Sequence, residues 1–285
     1  MSVVEIPARA LSTGRTVTGF LVGVAGGSVA IALALPHSPL APLLSAVWPI
    51  AVLAALAAVQ GRTVWAGLGL RRAGLRFWPA ALLVPAAAAL FAFGTASALG
   101  LVDRGDAPWS TPLVSALTGS TLGALLVLPE ELGWRGFLLP RLQQLTSART
   151  GALLTGLAHA AVHLPLVIWT TTYNPDGNRW VVAPLMLVTI TAAGVFYAWL
   201  RDVSGSIWPA AIAHGMGNAL LTAVLATAAS DGRLALVAGE GGVATAAATS
   251  VVAMICLVGS KTWRRRPPVS PGRPPKRPTY TVKKP

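Results

Sequence analysis

Long apolar runs recur along the whole chain and determine its predicted architecture. Windows of about 20 apolar residues, the length that crosses a bilayer as a helix, predict eight spans. They lie at 16–35, 42–60, 78–101, 112–133, 151–171, 181–200, 205–228 and 241–259. Because lipid offers the backbone no hydrogen-bond partners, we expect an all-α polytopic membrane protein with about eight transmembrane helices.

The composition supports a membrane protein and argues against other classes. Of the 285 residues, 54% are hydrophobic and 11% are charged, whereas soluble domains carry about 25% charged residues. The single cysteine, Cys256, excludes a disulfide framework or a cysteine-based zinc site within one chain. The net charge of +13 does not indicate nucleic-acid binding, because nine of the 22 basic residues are concentrated in the segment 261–285.

The basic residues also predict the orientation and the organisation of the chain. If the N-terminus is cytosolic, nineteen Lys and Arg residues lie on the cytosolic side and three lie outside, as the positive-inside rule requires. We therefore expect both termini in the cytosol, with a cytosolic segment at 1–15 and a transmembrane domain at 16–260. The segment 261–285, which has seven prolines and no acid, is predicted to be a disordered cytosolic tail that binds anionic lipid headgroups.

Ionisable residues within apolar spans are the candidates for function. Seven of the nine carboxylates fall in predicted loops or termini, whereas Glu130 and Glu131 lie at the cytosolic end of the fourth span. Of the four histidines, His159, His163 and His214 lie within the fifth and seventh spans. Because an unpaired polar group in an apolar medium is costly, we expect these side chains to share one cavity that opens towards the cytosol.

Local spacing predicts an ion pair and two bends near these residues. Glu131 and Arg135 are four residues apart, so they can pair on one helix face and hold the arginine in the site. Pro129 and Pro165 each remove one backbone hydrogen bond of their helix. We therefore expect both helices to bend or open there, which would admit water or an extended substrate.

The residue types in this set suit the hydrolysis of an amide bond. A carboxylate beside an imidazole can activate water as a nucleophile. A second imidazole and an asparagine amide can donate hydrogen bonds to the oxyanion of a tetrahedral intermediate. His214 and Asn218 are four residues apart and therefore lie on one helix face.

Three segments resemble motifs of the CPBP family, which contains the type II (Rce1-like) CAAX prenyl proteases and bacteriocin-processing relatives. EELGWR at 130–135 resembles the motif EExxxR, and HAAVHLP at 159–165 resembles FxxxH. SIWPAAIAHGMGNAL at 206–220 resembles HxxxN. The motif core covers about residues 125–220, and the three motifs occur in the order and with the separations of the family.

The resemblance implies a CAAX-protease-like helical bundle with an intramembrane site. The implied activity is that of an intramembrane endopeptidase that hydrolyses a peptide bond of a membrane-associated or prenylated, CAAX-like substrate. It also implies a role for each residue at a matching position: Glu130 and His163 activate water, His214 and Asn218 stabilise the oxyanion, and Glu131 and Arg135 support the site.

His159 departs from the family pattern, which usually has phenylalanine at this position. One interpretation is that His159, together with Glu130, His163 and His214, completes a tetrahedral zinc site with an open position. Another is that it hydrogen-bonds a carbonyl across helices. A metal-free mechanism, in which the glutamate and histidine activate water alone, is equally compatible with the resemblance.

Two non-proteolytic interpretations also stay open. The bacterial branch of the family and the His159 departure allow a bacteriocin immunity protein or a scaffold for partner helices. Carboxylates and histidines within a membrane also relay protons, which allows a proton-coupled transporter. The chain has no visible internal repeat, and this counts against a transporter.

Overall fold

The structure is a computed structural model and describes residues 8–102, 110–171, 178–225 and 233–265. Two short 3₁₀ turns, Arg62–Trp65 and Leu75–Phe77, precede the third helix. The helices are α1 (Ala8–Ala34), α2 (Leu40–Gln60), α3 (Trp78–Ala98), α4 (Thr111–Leu126), α5 (Leu128–Leu145), α6 (Ala148–Ala161), α7 (Leu164–Trp169), α8 (Arg179–Ser204), α9 (Trp208–Leu225), α10 (Arg233–Ala238), α11 (Val243–Gly259) and α12 (Lys261–Arg265). No strand occurs within these ranges, which confirms the all-α prediction.

The number of membrane spans is smaller than predicted within the part of the chain that the structure describes. Six stretches are long and apolar enough to cross a membrane, or seven if α4 and α5 form one bent span. The polytopic prediction is confirmed, but the count of eight is not. The span predicted at 205–228 corresponds to α9, which is 18 residues long and is not among the candidates, because His214 and Asn218 lower its hydropathy.

Large apolar side chains point outward from the bundle. Leu83 and Leu90 of α3 are 68% and 70% exposed, and Ile255 of α11 is 65% exposed. A surface of this kind would be very unfavourable in water over so many helices. Together with the candidate spans, it makes the chain an integral membrane protein.

Helix α8 forms the centre of the bundle. In its apolar window 61% of the residues are buried, against 17% in α2, and it packs against α6, α9 and α11. Val195 and Leu200 of α8 belong to the same buried cluster as Ala211 and Ala213 of α9. The small alanine side chains at 211 and 213 allow these helices to approach closely around the site.

The C-terminal segment begins with ordered residues. The prediction of disorder from 261 onward is wrong for Lys261–Arg265, which form α12. Trp263 is only 4% exposed, and its Nε1–H donates to a carboxylate oxygen of Asp202 at 2.7 Å. Burying the indole with its N–H paired offsets the entropy cost of ordering this turn. The rest of the predicted basic tail, 266–285, lies outside the described residues, so its lipid binding stays a prediction.

Glycines bring α4 and α9 into direct backbone contact beside the site. Gly119 and Gly123 lie one turn apart on α4 and face Gly215 of α9. A Cβ added at Gly215 would lie 2.4 Å from the backbone N of Ala124 and 2.5 Å from the carbonyl O of Gly119. No rotation of a side chain can relieve such a contact, so the helices would have to separate.

Replacing Gly215 with alanine should therefore lower the stability of the bundle. We expect Gly215→Ala to destabilise the protein by about 1–3 kcal/mol, the usual cost of overpacking, as a lower midpoint of thermal unfolding in detergent. Gly94→Ala in α3 is the matched control, because a Cβ there meets nothing within 4 Å. Equal midpoints for the two variants would show that the α4–α9 contact does not stabilise the fold.

Candidate active site

The chain bends sharply where it enters the site. Helices α4 and α5 meet at an angle of 55° at Val127, two residues before Pro129, whose ring nitrogen has no hydrogen to donate. The bend predicted from Pro129 is confirmed. After the bend comes a π-helical stretch, Leu132–Leu138, a geometry that often occurs at functional sites. All residues from 130 to 138 are buried, so both glutamates point into protein rather than lipid.

A second break lies opposite, between α6 and α7. Helix α6 ends at Ala161, and α7 begins at Leu164 with Pro165 in its first turn. The predicted opening at Pro165 is confirmed. His163 lies in this break, where its backbone N–H donates to the carbonyl of Ala160 at 3.1 Å. Its half-buried ring lines the central cavity.

Glu130 is hydrogen-bonded to His159, which is not the histidine at the motif position. Its Oε2 lies 2.7 Å from Nε2 of His159, and both residues are buried. His163 instead points Nδ1 at the backbone carbonyl of His159, at 2.9 Å. The His159 and His163 rings are 5.0 Å apart in an edge-to-face arrangement, so His159 lies beside both members of the predicted water-activating pair.

Glu131 forms a buried ion pair and is bound by two different side chains. Its Oε1 accepts from Nη1 of Arg135 at 2.7 Å and from Nδ1 of His214 at 3.0 Å. Glu131 and Arg135 are both 0% exposed. The predicted ion pair is therefore present, and the two adjacent glutamates have different partners.

The structure also reveals aromatic residues at the site that sequence reasoning missed. The Tyr197 ring stacks on the ring of His214, with centroids 5.3 Å apart, and the guanidinium of Arg135 lies 5.0 Å from the same Tyr197 ring. Trp134 packs against the ring of His159 at 5.0 Å. Tyr197 had a signal in the sequence, because it is the one tyrosine of three within a predicted span.

One cavity of about 270 Å³ joins these residues. Its polar lining includes all four side chains that the motifs predict to act on substrate, namely Glu130, His163, His214 and Asn218. Glu240, predicted in a loop, lies in the turn between α10 and α11 and also reaches the cavity. Much of the remaining wall is apolar and comes from α2, α3 and α4.

The donor arrangement bears on whether a metal ion fits here. Glu130, His159 and His163 each offer one ligand atom within 4.8 Å of the others, a spacing that permits a metal ion. His214, the fourth predicted ligand, is not in this group, and its Nδ1 is bonded to Glu131.

The hydrogen bonds, however, oppose His159 as a ligand. Its Nε2 is engaged with Glu130 at 2.7 Å, and its Nδ1 faces the guanidinium of Arg135 at 3.3 Å. A histidine that binds metal almost always has an acceptor at its second nitrogen, whereas Arg135 is a donor and a cation. His159 in this orientation therefore does not fit the role of a zinc ligand.

The comparison with known proteins agrees with the motifs. A family model described as type II CAAX prenyl endopeptidase Rce1-like matches residues 109–220. The match covers the α4–α5 bend, the α6–α7 break and most of α9, which carry every residue predicted for the site. No curated protein matches the chain.

The buried pair between Glu131 and Arg135 should be essential for stability. Arg135→Met would leave the Glu131 carboxylate buried without its cation, which costs about 3–5 kcal/mol. We expect a much lower midpoint of thermal unfolding in detergent, and partial recovery in the double variant Glu131→Gln, Arg135→Met, where no charge is buried. Arg62→Met, at an exposed position, is the control. An Arg135→Met variant as stable as this control would show that the pair of Glu131 and Arg135 is not essential for stability.

Proposed function

We propose, from the match of residues 109–220 to the family model of Rce1-like type II CAAX prenyl endopeptidases, that this integral membrane protein is an intramembrane endopeptidase. It would hydrolyse a peptide bond of a membrane-associated substrate, with a prenylated, CAAX-like peptide as the class that the family suggests. The observation that carries the proposal is that one cavity is lined by Glu130, His163, His214 and Asn218.

Glu130 and His163 are the proposed water-activating residues. The Nδ1 of His163 faces a backbone carbonyl, so this nitrogen carries a proton, and Nε2 is the ring nitrogen that can accept one. A water molecule between the Glu130 carboxylate and His163 Nε2 would attack the carbonyl carbon of the scissile bond as one of these groups takes its proton. The same proton then passes to the leaving amine, and the bond breaks.

His214 and Asn218 are the proposed donors to the oxyanion. The exposed Asn218 lines the cavity, where its amide N–H groups can reach a developing negative charge. His214 gives its Nδ1–H to Glu131, so Nε2 can donate only when the ring is doubly protonated. The Glu131 carboxylate stabilises that cation, and this is the support that Glu131 supplies to the reaction.

The proposed orientation brings substrate from the cytosolic side of the membrane. It rests on the distribution of basic residues, with both termini in the cytosol. The apolar wall of the cavity, which includes Leu43, Leu126 and Val127, suits a substrate with an apolar segment or a lipid group.

Removing either water-activating residue should abolish cleavage without unfolding the protein. We expect Glu130→Gln and His163→Ala to lower kcat by about 10²–10⁴-fold, the usual contribution of a positioned acid or base. His37→Ala is the control, because His37 is the exposed histidine outside the site. Comparative membrane proteomics of cells with wild type or Glu130→Ala supplies the substrate, and its cleavage by purified protein supplies the rates.

Wild-type cleavage by purified Glu130→Gln would overturn this mechanism. A bacteriocin-immunity phenotype that survives Glu130→Gln would favour the non-proteolytic alternative. Solute flux in liposomes that depends on pH, in the absence of cleavage, would favour a transporter.

Metal removal should leave the proposed activity intact, because His159 does not fit the role of a zinc ligand. We expect protein that was purified with chelator and shown to be metal-free by mass spectrometry to retain full kcat. Loss of activity on chelation and recovery on adding Zn²⁺ would show that a metal takes part.

A further inference from the structure

The ring of His159 lies between Glu130 and the ion pair of Glu131 with Arg135. On one side its Nε2 lies 2.7 Å from Oε2 of Glu130, and on the other its Nδ1 lies 3.3 Å from Nη1 of Arg135. The ring is 2% exposed, and Trp134 packs against one face. His159 therefore has a defined orientation and two defined polar partners.

The identity of these partners determines the tautomer of His159. A guanidinium has donors and no acceptor, so the ring nitrogen beside Arg135, Nδ1, must be the unprotonated acceptor. The proton of the neutral ring then resides on Nε2. Because this nitrogen faces Glu130, the bond at 2.7 Å is donated by His159 and accepted by Oε2 of Glu130.

The other two histidines of the site have the opposite arrangement, with the proton on Nδ1 rather than on Nε2. His163 directs Nδ1 to a backbone carbonyl, and His214 directs Nδ1 to the carboxylate of Glu131. Both rings therefore carry a proton on Nδ1, whereas His159 carries its proton on Nε2. The three histidines of the site thus divide into two that are protonated on Nδ1 and one whose Nε2–H is donated to Glu130.

We propose that His159 is a positioning residue for Glu130. Its Nε2–H holds one carboxylate oxygen in place, so that the other oxygen is directed towards the water beside His163. Arg135 holds His159 in the required tautomer, and Glu131 in turn holds Arg135. The inference rests on the proposed endopeptidase function, and it gives His159 a role that requires neither contact with substrate nor a metal ion.

Two substitutions separate positioning from metal ligation. In His159→Gln, the amide N–H₂ can donate to Glu130 and the amide oxygen can accept from Arg135, with nearly the spacing of the two ring nitrogens. His159→Phe keeps a ring of similar size but has neither polar atom. We expect His159→Phe to lower kcat by about 100-fold, the order of magnitude that misplacing a reacting group costs, with KM within about two-fold of wild type, and His159→Gln to recover most of this loss.

The outcomes of this experiment are distinguishable. Cleavage by His159→Phe at the wild-type rate, in a preparation where Glu130→Gln is inactive, would overturn the inference and leave the proposed function intact. If both variants are equally inactive and both lose a metal that wild type binds, measured by mass spectrometry, His159 is a ligand and the inference is wrong. Thermal unfolding of each variant in detergent shows whether a loss of rate comes from a loss of fold.

A measurement that needs no activity tests the tautomer directly. In protein labelled with ¹⁵N-histidine, the signal that disappears in His159→Gln should be that of a neutral ring with a protonated Nε2 and an unprotonated Nδ1. A neutral ring protonated at Nδ1, or a doubly protonated ring, would overturn the inference. This result stands even if no substrate is cleaved, so it separates failure of the inference from failure of the proposed function.

Discussion

The ion pair between Glu131 and Arg135 is the interaction on which the site depends. Both side chains are fully buried in a helical bundle. Separating the two charges would leave each of them buried with neither solvent nor an opposite charge beside it. Arg135 then contacts His159, and Glu131 contacts His214. The pair therefore orients one histidine from each of two further helices. A change in the geometry of the pair would displace both His159 and His214.

The second constraint is the lipid environment, which tolerates a broken helix only where the freed backbone groups are buried in protein or line a cavity. Both breaks of this kind, at Val127 and around His163, flank the same cavity. The prolines that cause them thus remove hydrogen bonds at the place where a substrate and water would supply partners. Glycine contacts between α4 and α9 hold this irregular region against a regular helix.

Much of the fold follows from the sequence, because the bilayer imposes a simple rule on length and hydropathy. The apolar runs predict an all-α membrane bundle, and the proline positions predict both bends. The rule does not fix the number of spans, because the apolar run at 205–228 predicts one, whereas His214 and Asn218 lower the hydropathy of its helix α9. It also fails for Trp263, where a contact with Asp202, distant in sequence, orders a segment whose composition indicates disorder.

The sequence by itself determined that Glu131 pairs with Arg135, because spacing along one helix is a local property, and it predicted that Glu130, His163, His214 and Asn218 share one cavity. Only the tertiary structure decided that Glu130 bonds to His159, and that Tyr197 and Glu240 reach the cavity. The physical reason is that the partner of a buried carboxylate depends on how separate helices rotate and bend against one another. His159 lies near the end of α6 and His163 in the break that follows it, and motif spacing cannot show which of the two rings faces that carboxylate.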